Sequence, residues 1–224
     1  MKLITLGVSL LLASFLCHAN GVSLSATRVI FHEGKVSASL GVQNHSEKEV
    51  YLVQSWVENI KNERSSQFLV TPPLFILDEK KENDLRIVVN DESALPKDKE
   101  SLFWLVSRTI PEGKKNSENV LKLAISSKIK LIYRPKNLSM SYDDSVQKIV
   151  ANVSGGKFTL ENNSPYFISL VDISVDNKIV KKSALVPPQS SISVDGVVGD
   201  AKSKIKFRHI NDYGAYIEVT NEKK

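Results

Sequence analysis

The sequence predicts an all-β protein built as two antiparallel sandwiches in succession. Short runs rich in Val, Ile, Leu and aromatic residues recur from residue 22 onward, and turn formers separate them at close spacing. Helical periodicity is hard to find over the same stretch. A proline then divides the runs into two similar groups.

The first group comprises VSASLGVQN, VYLVQSWVEN, DLRIVVN, SLFWLVSRTI and VLKLAISSKIKLIYR. Its turns fall at Glu33-Gly34, Asn44-His45-Ser46, Pro72-Pro73, Asn90-Asp91 and Pro111-Glu112-Gly113. The last run, NVLKLAISSKIKLIYRP, alternates: Leu121, Leu123 and Ile125 share one face, and Lys122, Ala124, Ser126, Lys128 and Lys130 share the other. Alternation defines the faces and leaves open whether the apolar row packs in the protein's own core or on a partner. The second group comprises KIVANVSG, GKFTLENN, YFISLVDISVD, SISVDGVV, SKIKFRHI and AYIEVT. Pro135 cannot donate in a central ladder, so it ends the first group. The expected domains are residues 20–136 and 137–224.

The chain opens MKLITLGVSLLLASFLCHANG, with Lys2 as a positive n-region and an uncharged apolar stretch from Leu3 to Leu16. This predicts a secretory signal over residues 1–19, cut after Ala19 with Asn20 as the alternative. Phe15 and Leu16 are too bulky for lipid attachment at Cys17. No later run approaches the roughly 20 apolar residues of a membrane span, so membrane insertion is not expected. The only cysteine leaves with the signal, which excludes a disulfide framework and a thiol nucleophile. Ordinary core burial must hold the mature chain together. Its balance of +4, from 29 Lys and Arg against 25 Asp and Glu, is scattered and makes no nucleic-acid surface.

Catalytic chemistry finds little support. His32, His45 and His209 stand in unrelated contexts without metal-ligand spacing and read as surface or turn histidines. There is no GxSxG elbow and no phosphate loop. Gly155-Gly156 reads as a turn, and Asp143-Asp144 as part of a polar loop. Neither an enzyme nor a cofactor is expected. Arg28 in ATRVIF and Lys130 in IKLIY are cations within apolar runs, which are rarely buried unless paired. Either they point outward or meet a carboxylate, or they project into a cleft between the domains as an anion site. Arg134 before the proline and Asp212 in INDYG pose the same choice between solvated loop charges and an ion pair across the joint.

The segments SLSATRVIF, TPPLF, LPKDKESLFWLVSRTIPE, NVLKLAISSKIKLIYRP, LENNSPYFISL, LVPPQS and INDYGAY occur in that order. With them the chain resembles the periplasmic pilus chaperones of the chaperone–usher pathway, the PapD-like family, over essentially all of the mature sequence. The resemblance implies two immunoglobulin-like sandwiches in a boomerang, a periplasmic location, and pilin subunits and an outer-membrane usher as partners. It implies that the strand before the joint is lent to a subunit whose sandwich lacks one, a mode of recognition known for pilus chaperones as a class. Carried over by motif, the subunit-carboxylate anchor falls on Arg28 and Lys130, and the donor row on Leu121, Leu123 and Ile125. The interdomain ion network falls on Glu100, Arg134 and Asp212. The short segment Pro111 to Glu118 resembles the short-loop branch of the family. Aggregation physics gives the free form a reason to self-associate and hide its apolar strand. The four Asn-x-Ser sequons, at Asn44, Asn137, Asn152 and Asn162, are read as incidental. The rival readings are an immunoglobulin-like adhesion module, with the Leu121 row as core, and an exported hydrolase.

Overall fold

The computed structural model describes residues 21–112, 121 and 123–219. The expected signal and the loop positions Gly113 to Glu118 lie outside the described residues, as do Asn119, Val120 and Lys122. In the first sandwich, a four-stranded sheet runs in the order β1 (Val22–Leu24), β3 (Ala38–Asn44), β7 (Glu82–Val89), β5 (Phe68–Thr71). It faces a five-stranded sheet in the order β2 (Arg28–His32), β9 (Ile125–Arg134), β8 (Ser101–Pro111), β4 (Tyr51–Glu58), β6 (Leu74–Leu77). In the second sandwich, β10 (Ile149–Ser154), β11 (Lys157–Asn162) and β14 (Ser190–Asp195) form one sheet. The other runs β13 (Lys178–Val186), β12 (Ile168–Val175), β15 (Ile205–Ile210), β16 (Tyr216–Val219).

Period-two patterning builds both cores. β4 buries Val53, Ser55 and Val57, and β10 buries Ile149, Ala151 and Val153, while their neighbours face outward. Full burial of each large apolar side chain is worth about 1.5–3 kcal/mol before ordering costs. The first core centres on Phe31, Phe68, Phe103 and Tyr133, with Phe68 edge-on to Phe103 at 4.9 Å and to Phe31 at 5.4 Å. The second core draws on Phe158, Leu160, Ile168, Leu170 and Phe207.

A buried asparagine ties the two sheets of each sandwich together. Asn44 ends β3, and its Nδ2 donates to the carbonyls of Glu49, Leu77 and Asp78 while its Oδ1 accepts the Ser46 amide. Asn162 ends β11 and repeats this arrangement on Tyr166, Val186, Pro187 and the Ser164 amide. Both are fully buried, so every polar atom of the amide needs a partner and finds one. In these two cases the Asn-x-Ser spacing serves an inter-sheet clamp, and Asn44 belongs to a strand end as much as to a turn.

Several elements differ from the expectation. β5 and β6 were absent from the strand runs because Pro72 and Pro73 split QFLVTPPLFIL where the chain crosses between sheets. β13, KIVKKSALV, is an edge strand whose lysines interrupt the alternation, leaving only Val186 fully buried. Asp143 and Asp144 are not in a loop: they occupy the first turn of a short helix, α1 (Tyr142–Gln147). Ser141 caps that helix by accepting the Asp144 amide. β9 begins at Ile125, so Leu121 and Leu123 precede the strand instead of lying within it.

Candidate functional site at the domain joint

β2 and β9 are the one parallel pair among the described strands, with Arg28 opposite Lys130 and Arg134 opposite His32. The chain changes sheets between β1 and β2, so β2 starts only at Arg28. Below that point β9 keeps β8 on one side, and on the other side Ile125 to Ile129 have no ladder partner among the described residues. Those backbone groups form an open edge, which is a template for another strand.

Arg28 is buried and Lys130 half-buried. Arg28 Nη1 donates to the Ile210 carbonyl at 3.2 Å, while its buried Nε has no partner. Neither cation has a carboxylate within ion-pair reach among the described residues. Lys128, two residues away, is held by Glu58 at 2.7 Å and Asn62 at 2.6 Å. Burial pushes the Arg28 guanidinium down, against Tyr142, Asp212 and Glu100, which favour its charge. Burial also pushes Lys130 down, and the neighbouring Arg28 pushes it further. Two sheltered like charges with no carboxylate in ion-pair reach can both give charge-assisted bonds to one added carboxylate.

Leu121, Leu123 and Ile125 are 82, 63 and 64 % exposed. By strand parity Ile125 lies on the same face as Ile129, Leu131 and Tyr133, the last two of which are fully buried in the core. One face of β9 is therefore core near the joint and bare beyond it, and the bare part continues into Leu123 and Leu121.

Glu100, Arg134 and Asp212 meet at the joint. Arg134 Nε donates to Glu100 at 2.6 Å, and its two terminal nitrogens grip Asp212 at 2.6 and 2.8 Å. Glu100 also accepts the Phe167 amide at 2.7 Å, and its own amide donates to the Pro165 carbonyl. Burial pushes the Glu100 carboxyl up to about 7, although Arg134 and the Phe167 amide pull it down. Burial opposes the Arg134 charge, but hydrogen bonds to Asp212 and the field of both carboxylates outweigh it. Asp212 is presented by the β15–β16 turn. There Asn211 Oδ1 accepts the Tyr213 and Ala215 amides, and Gly214 takes a φ of 85°. A Cβ at Gly214 would come within 2.9 Å of Thr27 Oγ1, so the turn needs glycine for conformation and for space.

Motif reading missed the aromatic walls of this joint. Tyr142 and Tyr166 stand 5.3 and 5.0 Å from the Arg134 guanidinium and are edge-on to each other at 5.5 Å. Tyr166 lay within a quoted motif, whereas Tyr142 is a lone aromatic in the polar stretch SMSYDDS. His209 was expected at the surface and is instead buried on β15 beside Tyr142, because strand alternation puts it on the same face as the core residues Ile205 and Phe207. No group of three His, Cys, Asp or Glu side chains among the described residues could hold a metal ion. A concavity of about 930 Å³ lies on the second sandwich, lined in part by Lys148, Lys204 and Phe207, and shares no residue with the joint.

The family model for the N-terminal domain of PapD, a pili and flagellar-assembly chaperone, matches residues 21–139. The model for the C-terminal domain of the pili assembly chaperone PapD matches residues 144–221. The chaperone protein FocC of Escherichia coli is 40 % identical over 200 residues, covering 88 % of each chain. FimC of Escherichia coli K12 is 43 % identical over 197 residues, covering 87 % of this chain and 81 % of FimC. The crystal structure of the periplasmic chaperone SfaE superposes with a TM-score of 0.77 at 38 % identity, over 89 % of this chain and 98 % of SfaE. The chaperone SafB of Salmonella enterica, solved with the SafA pilin, gives 0.80 at 29 % identity over 91 and 98 %. The chain therefore belongs to the PapD family of pilus-assembly chaperones, which are not enzymes.

Proposed function

We propose that this protein captures pilin subunits by lending them the free stretch of β9, and passes them to an outer-membrane usher. The observation that carries this reading is the continuity of three features along one strand. The unpaired edge from Ile125 to Ile129 leads into the bare row Leu121, Leu123, Ile125, and the edge ends at the uncompensated pair Arg28 and Lys130. A subunit strand that continued the line of β2 would run parallel to β9 and bring its terminal carboxylate to Arg28 and Lys130. Its backbone would complete the ladder while the Leu121 row fills the groove left by the missing strand. The anchor fixes register, because a slip of one residue would turn the wrong face into the groove. SafB was solved with a pilin bound, which supports a subunit as partner here.

The same reading makes residues 1–19 a signal cut after Ala19 or Asn20, places the mature chain in the periplasm and sets the domain boundary at residue 136. It gives Glu100, Arg134 and Asp212 the task of holding the angle between domains, and it requires no cofactor. Self-association of the free form would cover the Leu121 row. Co-expression with a pilin subunit from the same organism, followed by purification of the periplasmic fraction, tests the reading. A stoichiometric complex is expected. A subunit that is equally soluble without the chaperone, and does not bind it when both are present, would overturn it.

A further inference from the structure

We infer that Tyr142 is a positioning residue that couples the Arg28 anchor to the Glu100–Arg134–Asp212 joint. This rests on the proposed role of Arg28 as a carboxylate anchor. Tyr142 opens α1 of the second domain and touches both charge systems. Its ring stacks on Arg134 at 5.3 Å, and its hydroxyl donates to the Ile210 carbonyl at 3.1 Å. That carbonyl is the one that accepts Arg28 Nη1 at 3.2 Å. Ile210 ends β15, and two residues later the chain places Asp212 against Arg134. One carbonyl thus receives a donor from each domain, two peptide units from the carboxylate that grips the joint.

A carbonyl oxygen has two lone pairs, and here Tyr142 and Arg28 take one each. The tyrosine bond holds the carbonyl's direction and thereby the direction of the guanidinium, whose buried Nε has no hydrogen-bond partner. Burial keeps the phenol above its ordinary range, so the hydroxyl remains a donor. A change at the joint that moves Asp212 also moves Ile210, and Arg28 follows. Subunit capture and domain angle are in this way mechanically linked through one side chain.

Tyr142→Phe separates the roles, because it retains the ring on Arg134 and removes only the hydroxyl. Tyr166→Phe is the control, since its hydroxyl donates elsewhere, to the Met140 carbonyl. The probe is a synthetic extended peptide of alternating apolar residues with a free terminal carboxylate, compared with its terminal amide. Wild type and Tyr166→Phe should prefer the acid. In Tyr142→Phe the acid-to-amide ratio should fall about three- to tenfold with the thermal midpoint retained, the effect of one hydrogen bond. In the ligand-free protein, nitrogen-15 relaxation at Arg28 should show greater side-chain mobility in Tyr142→Phe than in the control. An unchanged ratio with unchanged Arg28 mobility overturns the coupling, as does equal weakening of acid and amide. A wild type without acid preference, but with Arg28 loosened by Tyr142→Phe, removes the anchor reading and leaves the mechanical link standing.

Discussion

Arg28 and Lys130 face each other across the parallel β2–β9 ladder, two partly sheltered cations with no carboxylate in reach among the described residues. Lys128, on the same face of β9, is neutralised by Glu58. That contrast, and not the presence of basic residues as such, is what supports the proposed site. Native proteins rarely shelter like charges together without a use for them.

Leu123→Glu should weaken subunit binding at least tenfold and leave the thermal midpoint of the free protein unchanged. Leu123 is 63 % exposed in the free protein, and the proposed donor role buries it only in the complex. Leu131→Ala, on the core part of β9, should instead cost about 2–5 kcal/mol of stability. Titration and urea unfolding of both variants check the contrast.

Lys130 must be charged to hold a carboxylate, and burial beside Arg28 holds its ammonium below the ordinary lysine range. Affinity for a carboxylate-ended strand should therefore fail on the alkaline side earlier than an exposed lysine would dictate. Lys130→Arg should move that loss to higher pH, since arginine stays charged throughout. Peptide titrations from neutral to strongly alkaline pH measure the shift.

Burial pushes the Glu100 carboxyl up to about 7 from an ordinary 4.5. The folded state thus holds this proton more tightly than the unfolded chain, so this contribution to stability is full below pH 4.5. It is lost as pH rises to about 7. Arg134→Met removes the guanidinium that pulls the carboxyl down, leaving a buried unpaired acid. The variant should lose about 3–5 kcal/mol at pH 8 and less at pH 5, where Glu100 is neutral. Urea unfolding across pH 5 to 8 reports the slope.

Much of this was legible in the sequence for physical reasons. Half-buried strands such as β4 and β10 alternate strictly, so period two exposes them. β13 and the β5–β6 pair escaped because edge lysines and paired prolines erase the alternation. The faces of β9 could be read, but where its apolar row stops being core could not. That point depends on β2 starting at Arg28, a long-range pairing. Likewise the residues around Arg134 and Asp212 alone left loop charges and an ion pair both open, and the fold brings the two to 2.6 Å. Tyr142 gave no periodic signal, since its partners Arg134 and Ile210 come from other elements.

On the proposed reading, Arg28 and Lys130 together hold a subunit's terminal carboxylate. The most direct test of this is the affinity of the cognate pilin for Arg28→Ala, Lys130→Ala and the double variant, with unfolding midpoints measured on the same samples. Each single change should weaken binding by about 10- to 100-fold, as expected for loss of a charge-assisted hydrogen bond. The folds should remain intact, because the two like charges do not stabilise each other and Arg28→Ala gives up only the one hydrogen bond to the Ile210 carbonyl. A folded double variant that binds the subunit as tightly as the wild type would contradict the account.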